Sequence, residues 1–126
     1  MLDDRLRGKV CLVTAGSRSL GAEIVRTMAG HGAHVVVNYH QSKTAALDLC
    51  EEIGALGVEA LPVQADVTRE DQVKRLVAEA VTRFGRIDIL VNNFGPYVDS
   101  PFLALETADF DAILGGNLRA TFLLVR

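Results

Sequence analysis

Small and polar side chains gather at three places in this chain of 126 residues, each directly after an apolar run. These places are residues 14–21, the pair Asp66 and Val67, and residues 92–95. A turn of small residues between a buried strand and a helix directs backbone N–H groups and the helix N-terminus to one spot, where a diphosphate can bind. The first stretch therefore predicts a phosphate-binding turn, and the other two are candidates for the rest of a nucleotide site.

The elements that must position these residues are predicted from the alternation of apolar runs and helical patterns. Strands are expected at residues 10–14, 35–37, 60–63 and 89–91, with a helix after each of the first three. Continuously apolar strands separated by helices are typical of a parallel sheet covered on both faces. Pro62 has no N–H to donate and belongs at an edge. We therefore expect a Rossmann-like, doubly wound α/β sheet of strand order 3-2-1-4, and a single dinucleotide-binding domain over residues 1–126.

Helix ends are predicted from capping residues. Ser42 is the expected N-cap of the second helix, and Thr68 with Asp71 resembles a capping box before the third. Glycines are expected to end the three helices, at Gly32, Gly57 and Gly85. After the fourth strand, a loop over 93–106, a short helix capped by Thr107 and a separate helix from Asn117 are expected.

Composition excludes several function classes. The net charge is −3, with 13 basic and 16 acidic residues well mixed, so neither a nucleic-acid partner nor a membrane surface is indicated. No signal peptide and no membrane-spanning run is recognised in the sequence. Cys11 and Cys50 lack the neighbours of a metal site, and we expect two free thiols, no metal and a cytoplasmic location.

The motifs together resemble the short-chain dehydrogenase/reductase family. The resemblance extends over nearly the whole chain and is carried by residues 14–21, Asp66-Val67, residues 92–95 and Asn117. It is strongest toward 3-oxoacyl carrier-protein reductases, and residues 38–42 are also similar to pteridine reductases. The resemblance implies an oxidoreductase that transfers a hydride between a nicotinamide cofactor and a small carbonyl or alcohol substrate.

The glycine-rich loop departs from the family's Thr-Gly-x-x-x-Gly-x-Gly. Ala15 and Ser19 replace the first two glycines, and only Gly21 matches the third. Since alanine tolerates little positive φ, we expect Gly16 to adopt that conformation instead. The Ser19 hydroxyl is a possible phosphate donor, and the alternative is an ordinary turn without a ligand. The cofactor-binding residues implied here are Thr14, Gly16, Ser17, Arg18, Ser19, Leu20 and Gly21.

The resemblance also assigns the adenine and ribose ends of the site. Asp66 would accept a hydrogen bond from the adenine amino group, and Val67 would donate its N–H to a ring nitrogen. The alternative is that Asp66 only starts the following helix. Asn93, Phe94 and Gly95 would line the cofactor ribose, and Asn92 would bridge strand ends. Phe94 stands where the family has alanine, so it either turns away or narrows the pocket.

Cofactor choice depends on the end of the second strand. An acidic residue there would bind the free 2′-hydroxyl of NAD, but this chain has Asn38. Arg18 in the glycine-rich loop can bind a 2′-phosphate. We expect NADP(H) to be favoured, with NAD(H) possible; the alternative is that the basic residues are solvated surface charges. Other residues expected at this end of the cofactor are Tyr39, His40, Ser42 and Lys43.

Asn117 matches the family's catalytic asparagine, which holds a water linked to the catalytic lysine; the alternative is a polar residue that kinks a helix. The family's Ser and Tyr-x-x-x-Lys have no counterpart after Asn117. Tyr39 and Lys43 have the same spacing but precede Asn117 and need not share a helical face.

We therefore expect a truncated chain that is inactive by itself. The alternative is a non-catalytic nucleotide-binding or regulatory module. The apolar segment Ala120, Phe122, Leu123, Leu124 and Val125 is expected at a homodimer or homotetramer interface of the whole protein.

Overall fold

A four-stranded parallel sheet forms the centre of the protein, in the order β3-β2-β1-β4. The computed structural model describes residues 3–126. Its strands are β1 (Val10–Val13), β2 (His34–Tyr39), β3 (Ala60–Gln64) and β4 (Ile89–Val91). The predicted order is confirmed. Pro62 lies in the edge strand opposite Val37, where its missing N–H costs least.

Helices cover both faces of the sheet. They are α1 (Ser19–Gly30), α2 (Lys43–Gly54), α3 (Glu70–Phe84), α4 (Thr107–Leu114) and α5 (Ala120–Val125), with a π-helix at Gly115–Arg119 and a 3₁₀ turn at Phe102–Ala104. Side chains of β1 alternate between the faces, because successive strand residues point in opposite directions. Cys11 and Val13 pack with α1 and α2, whereas Val10 and Leu12 pack with α3 and α5.

Several predicted helix ends are wrong. Thr68 does not cap α3, because its hydroxyl and N–H both bond Asp66, and Arg69 occupies the N-cap position without a side-chain hydrogen bond. The prediction at Gly32 is confirmed, since it follows the C-cap His31 of α1 with a φ of 95° and its N–H bonds the carbonyl of Ala29. α2, in contrast, ends at Gly54, and Gly57 lies in the turn that follows. The prediction at Gly85 is confirmed, since it ends α3 with a φ of 79°.

The two helices predicted after residue 106 form one continuous helical segment. α4 passes into the π-helix and then into α5 without interruption. Gly116 lies within the π-helix and packs closely against the preceding loop. A Cβ there would lie 2.2 Å from Cδ of Pro96.

The cysteines are free, as expected. Burial raises the pKa of both the Cys11 and the Cys50 thiol to about 11. Over residues 3–126, no cluster of three metal-ligating side chains of the His, Cys, Asp or Glu type occurs. No helix in this part of the chain is both long enough and apolar enough to span a bilayer.

Two glycines near helix ends should respond oppositely to alanine, although a Cβ would meet nothing within 4 Å at either one. Gly54 is the last residue of α2 and has no left-handed φ, so Gly54→Ala should raise the free energy of unfolding by about 0.5–1 kcal/mol. Gly85 is left-handed, so Gly85→Ala should lower it by about 1 kcal/mol. Urea denaturation of both variants measures the difference. Changes of the same sign would contradict the assigned backbone conformations.

Candidate nucleotide-binding site

A cleft of about 730 Å³ opens at the carboxyl ends of the strands. It brings all three polar stretches of the sequence onto one surface. The predicted site residues that line it are Ser17, Arg18, Ser19, Leu20, Asn38, Tyr39, His40, Ser42, Asp66, Val67, Asn93, Phe94 and Gly95. Sequence reasoning did not assign four further lining residues to the cofactor site: Ala15, Gln41, Ala65 and Tyr97. Thr14, Gly16, Gly21, Lys43 and Asn117 lie outside the lining, and the structure gives each another position.

Thr14 is fully buried and connects the end of β1 to the loop after β4. Its hydroxyl accepts hydrogen bonds from the backbone N–H groups of Asn93 and Phe94, at 3.0 and 3.1 Å. The same hydroxyl donates to Oδ1 of Asn92 at 3.2 Å. Thr14 therefore holds two walls of the cleft together without facing a ligand.

Asn38 is also almost completely buried, and its amide serves the backbone. Oδ1 accepts the N–H of Ala15 at 3.2 Å, and Nδ2 donates to the carbonyls of Val63 and Ala65 at 3.3 and 3.1 Å. These bonds join the ends of β1, β2 and β3. The side chain that we expected to help select the cofactor thus bonds backbone groups of the sheet.

The left-handed residues of the glycine-rich loop are Ala15 and Ser19, with φ values of 49° and 50°. The expectation that Gly16 takes this conformation is wrong. Gly16 is required for close packing instead, since a Cβ there would lie 3.1 Å from the carbonyl oxygen of Val13. The left-handed conformation costs each of these two non-glycine residues about 1–2 kcal/mol.

Gly21 allows the first turn of α1 to touch the opposite wall. A Cβ at this position would lie 2.1 Å from the carbonyl oxygen of Ala15 and 2.7 Å from Nδ2 of Asn93. Asn93 Nδ2 in turn donates to that same Ala15 carbonyl at 3.1 Å. Any larger residue at position 21 would therefore separate the glycine-rich loop from the 92–95 loop.

The glycine-rich loop presents unused backbone donors to the cleft. Within the described residues, the N–H groups of residues 17–20 have no hydrogen-bond acceptor, and the N-cap Arg18 makes no side-chain capping bond. These donors lie at the N-terminus of a helix, where the macrodipole favours negative charge. The loop therefore fits a phosphate group.

Asp66 lines the cleft and bonds the residue two positions later. Its Oδ1 accepts hydrogen bonds from the N–H and the hydroxyl of Thr68, at 3.0 and 2.6 Å. Partial burial raises the pKa of this carboxyl, but the two Thr68 bonds together with the charges of His40 and Arg69 outweigh burial, and the net pKa is lowered. Oδ2 accepts no bond from the described residues. Asp66 is therefore ionised at neutral pH and can accept a donor from a ligand.

Basic groups lie at the end of the cleft next to α2. Nη1 of Arg18 is 3.5 Å from the hydroxyl oxygen of Ser42, and both residues are shared with an adjoining hollow of about 450 Å³ that also contains Lys43. Tyr39 is the last residue of β2, whereas Lys43 is the first residue of α2. They do not share a helical face, as the sequence predicted.

Asn117 lies in the π-helix and is locked to the loop that forms the other end of the cleft. Its Nδ2 donates to the carbonyl of Pro96 at 2.6 Å and to that of Ile113 at 3.0 Å. A Cβ on Gly95 would lie 2.0 Å from Oδ1 of Asn117, so only glycine fits there. Phe94 lines the cleft and also packs into the apolar layer below it. Asn117 therefore connects the π-helix to the loop at Pro96.

Comparison with known proteins matches this chain to one family, both by family profile and by individual relatives. A family profile described as short chain dehydrogenase matches residues 9–126. The chain is 40% identical over 114 residues to a 3-oxoacyl-[acyl-carrier-protein] reductase of Staphylococcus epidermidis, covering 90% of this chain and 47% of that relative. It thus spans about half the length of the curated relatives it matches.

Solved structures have the same fold. A short-chain dehydrogenase of Burkholderia cenocepacia in complex with NADP superposes with a TM-score of 0.90 at 39% identity, covering 96% of this chain and 49% of that one. A blue fluorescent protein from a metagenomic library, in complex with NADPH, has a TM-score of 0.89 at 37% identity, covering 95% and 49%.

Glycine at either left-handed position should stabilise the protein. Ala15→Gly and Ser19→Gly remove the steric cost of positive φ but add flexibility to the unfolded chain, so each should raise the free energy of unfolding by about 0.5–1 kcal/mol. Ala78→Gly, in exposed helical backbone of α3, is the matched control and should lower it by about 1 kcal/mol. Chemical denaturation measures all three. Loss of stability in both loop variants would show that Ala15 and Ser19 are unstrained.

Proposed function

Because this chain belongs to the short-chain dehydrogenase family, we propose that it binds NADP(H) in the cleft at the carboxyl edge of its sheet. We further propose that the whole protein is an oxidoreductase acting on a small carbonyl or alcohol substrate. The observation that carries the proposal is the single cleft that joins residues 17–20, Asp66-Val67 and residues 93–95. The NADP and NADPH bound to similar structures support the choice of cofactor.

The cofactor would be held by groups that have no other partner in the described chain. The N–H groups of residues 17–20 would bind the diphosphate. Oδ2 of Asp66 would accept a hydrogen bond from the adenine amino group. The N–H of Val67, which has no acceptor in the described chain, would donate a hydrogen bond to a ring nitrogen of the adenine. The backbone at Gly95 would lie close to the cofactor ribose, because glycine has no side chain to keep the two apart.

Discrimination between NADP(H) and NAD(H) is assigned to Arg18. Arg18 and Ser42 lie together at the end of the cleft where the amide of Asn38 is already bonded to backbone. Among the described residues, Asp66 is the one acidic residue that lines the cleft, and it is bonded to Thr68. A 2′-phosphate would therefore meet a guanidinium and a hydroxyl, with no carboxylate to select a free 2′-hydroxyl.

NADP(H), when bound, would supply or accept the hydride of the reaction. Asn117 would fix the 94–96 backbone beside the cofactor and present its own carbonyl on the π-helix. No tyrosine or lysine follows Asn117 in these 126 residues. We assign cofactor binding and positioning to the residues of this chain.

A subunit interface is proposed on one stripe of the C-terminal helical segment. Ala120 and Leu123 are buried against the core of this chain and cannot contact a partner. The proposed interface therefore uses fewer residues of the 120–125 segment than the sequence predicted. The exposed stripe instead extends back into α4, with large apolar side chains at three- and four-residue intervals. Its members are Phe110, Leu114, Leu118, Phe122 and Val125. Exposed apolar stripes of this kind mark interaction surfaces, here a second copy of the chain.

A cytoplasmic location is proposed from the thiols. Cys11 is fully buried and Cys50 half-buried within one apolar layer, as free thiols of a reducing compartment would be.

Replacing Arg18 by alanine should weaken NADPH much more than NADH. A partly exposed contact between guanidinium and phosphate contributes about 1–3 kcal/mol, which is roughly 5- to 150-fold in affinity. Added salt should reduce the difference, because the contact is at the surface. Titration calorimetry with both cofactors measures it.

Arg83→Ala is the control for loss of one positive charge, since Arg83 lies outside the cleft and pairs with Glu59. It should leave both affinities unchanged. Equal losses for NADH and NADPH in Arg18→Ala would mean that Arg18 supports the loop and does not bind the phosphate. Failure of the wild-type chain to bind either cofactor would refute the proposed function itself.

Placing a charge in the apolar stripe should dissociate the assembly. Leu118 is 68% exposed at the centre of the stripe, so Leu118→Glu should convert a dimer or tetramer to monomers in light scattering at micromolar concentration. Leu47→Glu, at an exposed position of α2, should leave the assembly intact. A wild-type protein that is strictly monomeric would count against the interface.

A further inference from the structure

Thr121, in the first turn of α5, makes two hydrogen bonds that connect separate parts of the fold. Its hydroxyl donates to the backbone carbonyl of Asn117 at 2.7 Å. The same oxygen accepts Nδ2 of Asn92 at 2.5 Å. One side chain thus joins the π-helix that carries Asn117 to the residue that follows β4.

The bonds continue from Asn92 into the wall of the cleft. Oδ1 of Asn92 accepts the hydroxyl of Thr14, and this hydroxyl accepts the N–H groups of Asn93 and Phe94. An unbroken chain of hydrogen bonds therefore runs from the Asn117 carbonyl to the backbone of the cleft lining. Hydrogen bonds in such a chain polarise one another, so loss of one bond changes the strength and orientation of the others.

The donation to the Asn117 carbonyl is not unusual by itself. Thr27 on α1 makes the same bond to a carbonyl four residues earlier, that of Glu23, at 2.8 Å. Thr27 is exposed and has no second partner within the described residues. What distinguishes Thr121 is that its oxygen also accepts a bond from outside its helix.

We propose that Thr121 is a positioning residue that couples the Asn117 segment to the cofactor cleft through Asn92 and Thr14. The role in cofactor binding rests on the proposed function, whereas the coupling itself does not. With the hydroxyl in place, the carbonyl of Asn117 has a fixed position relative to the backbone of Asn93 and Phe94. Without it, the Asn92 amide loses its partner and the two segments move independently.

The test compares Thr121→Val, which keeps the shape and removes the hydroxyl, with Thr121→Ser, which restores it. Thr27→Val is the matched control, because it removes the same bond within a helix and no link beyond it. Two properties are measured for each protein: the NADPH dissociation constant, and the hydrogen-exchange rates of the Asn93 and Phe94 amides without cofactor.

Thr121→Val should weaken NADPH binding by roughly three- to tenfold, the worth of one hydrogen bond, and should speed exchange of both amides by a similar factor. Thr121→Ser should restore both values to within about twofold of the wild type. Thr27→Val should leave binding and exchange unchanged, because it removes a bond within one helix and no link beyond it. This pattern separates positioning from a general loss of helix stability.

Thr121→Val that matches Thr27→Val in binding and exchange would overturn the proposal. If the wild-type chain does not bind NADPH, the proposed function fails, and the exchange rates alone decide the coupling. If Thr121→Val does not fold, Thr121→Ala takes its place. NADPH should also shift the amide signals of Asn117 and Thr121 in the wild type, although neither residue lines the cleft. Signals that stay fixed while those of Asn93 and Phe94 move would equally overturn the coupling.

Discussion

The cleft depends on the buried hydroxyl of Thr14. At the point where β1 and β4 end, the chain segments diverge, one into the glycine-rich turn and the other into the 92–95 loop. Regular ladder bonds stop there, and the Thr14 hydroxyl replaces them with two accepted bonds and one donated bond. An apolar side chain of the same shape would remove all three bonds, at about 1 kcal/mol each because their partner groups are only partly buried. The crevice lies at the switch point of the sheet. It stays open to a ligand because the buried Thr14 hydroxyl, beneath the cleft, connects its two walls.

A second constraint concerns the backbone of the glycine-rich loop. Ala15 and Ser19 occupy left-handed conformations that normally favour glycine, and the surrounding contacts hold them there. Asn38 fixes the N–H of Ala15, and Asn93 bonds its carbonyl. Gly21 lets that carbonyl lie against the first turn of α1. The loop is thus determined by its neighbours on two strands, and its N–H groups remain available for phosphate.

Much of the fold could be predicted because its signals are strong and local. β-branched runs such as Val35 to Val37 can hardly form anything except a buried strand, and Pro62 fixes which strand lies at the edge. Helix ends were less predictable. Thr68 fits a capping box by sequence, yet its hydroxyl bonds Asp66, since a side chain that can cap can also close a turn. The close contact of Gly116 with Pro96 likewise has no signal in the local sequence.

The sequence by itself determined the strand order, the two-sided core and the three stretches that meet in the cleft, because apolar period and turn chemistry are local properties of the chain. Only the tertiary structure decided what individual polar residues do there. The sequence suggested that Asn38 faces the ligand, but its amide bonds the backbone at the ends of three strands. Asp66 accepts hydrogen bonds from Thr68 through one oxygen, and its other oxygen has no partner among the described residues. Asn117 locks onto Pro96, and Thr121 links it to Asn92. Hydrogen-bonding capacity is written in the residue type, but its partner is set by which distant segments the fold brings within about 3 Å.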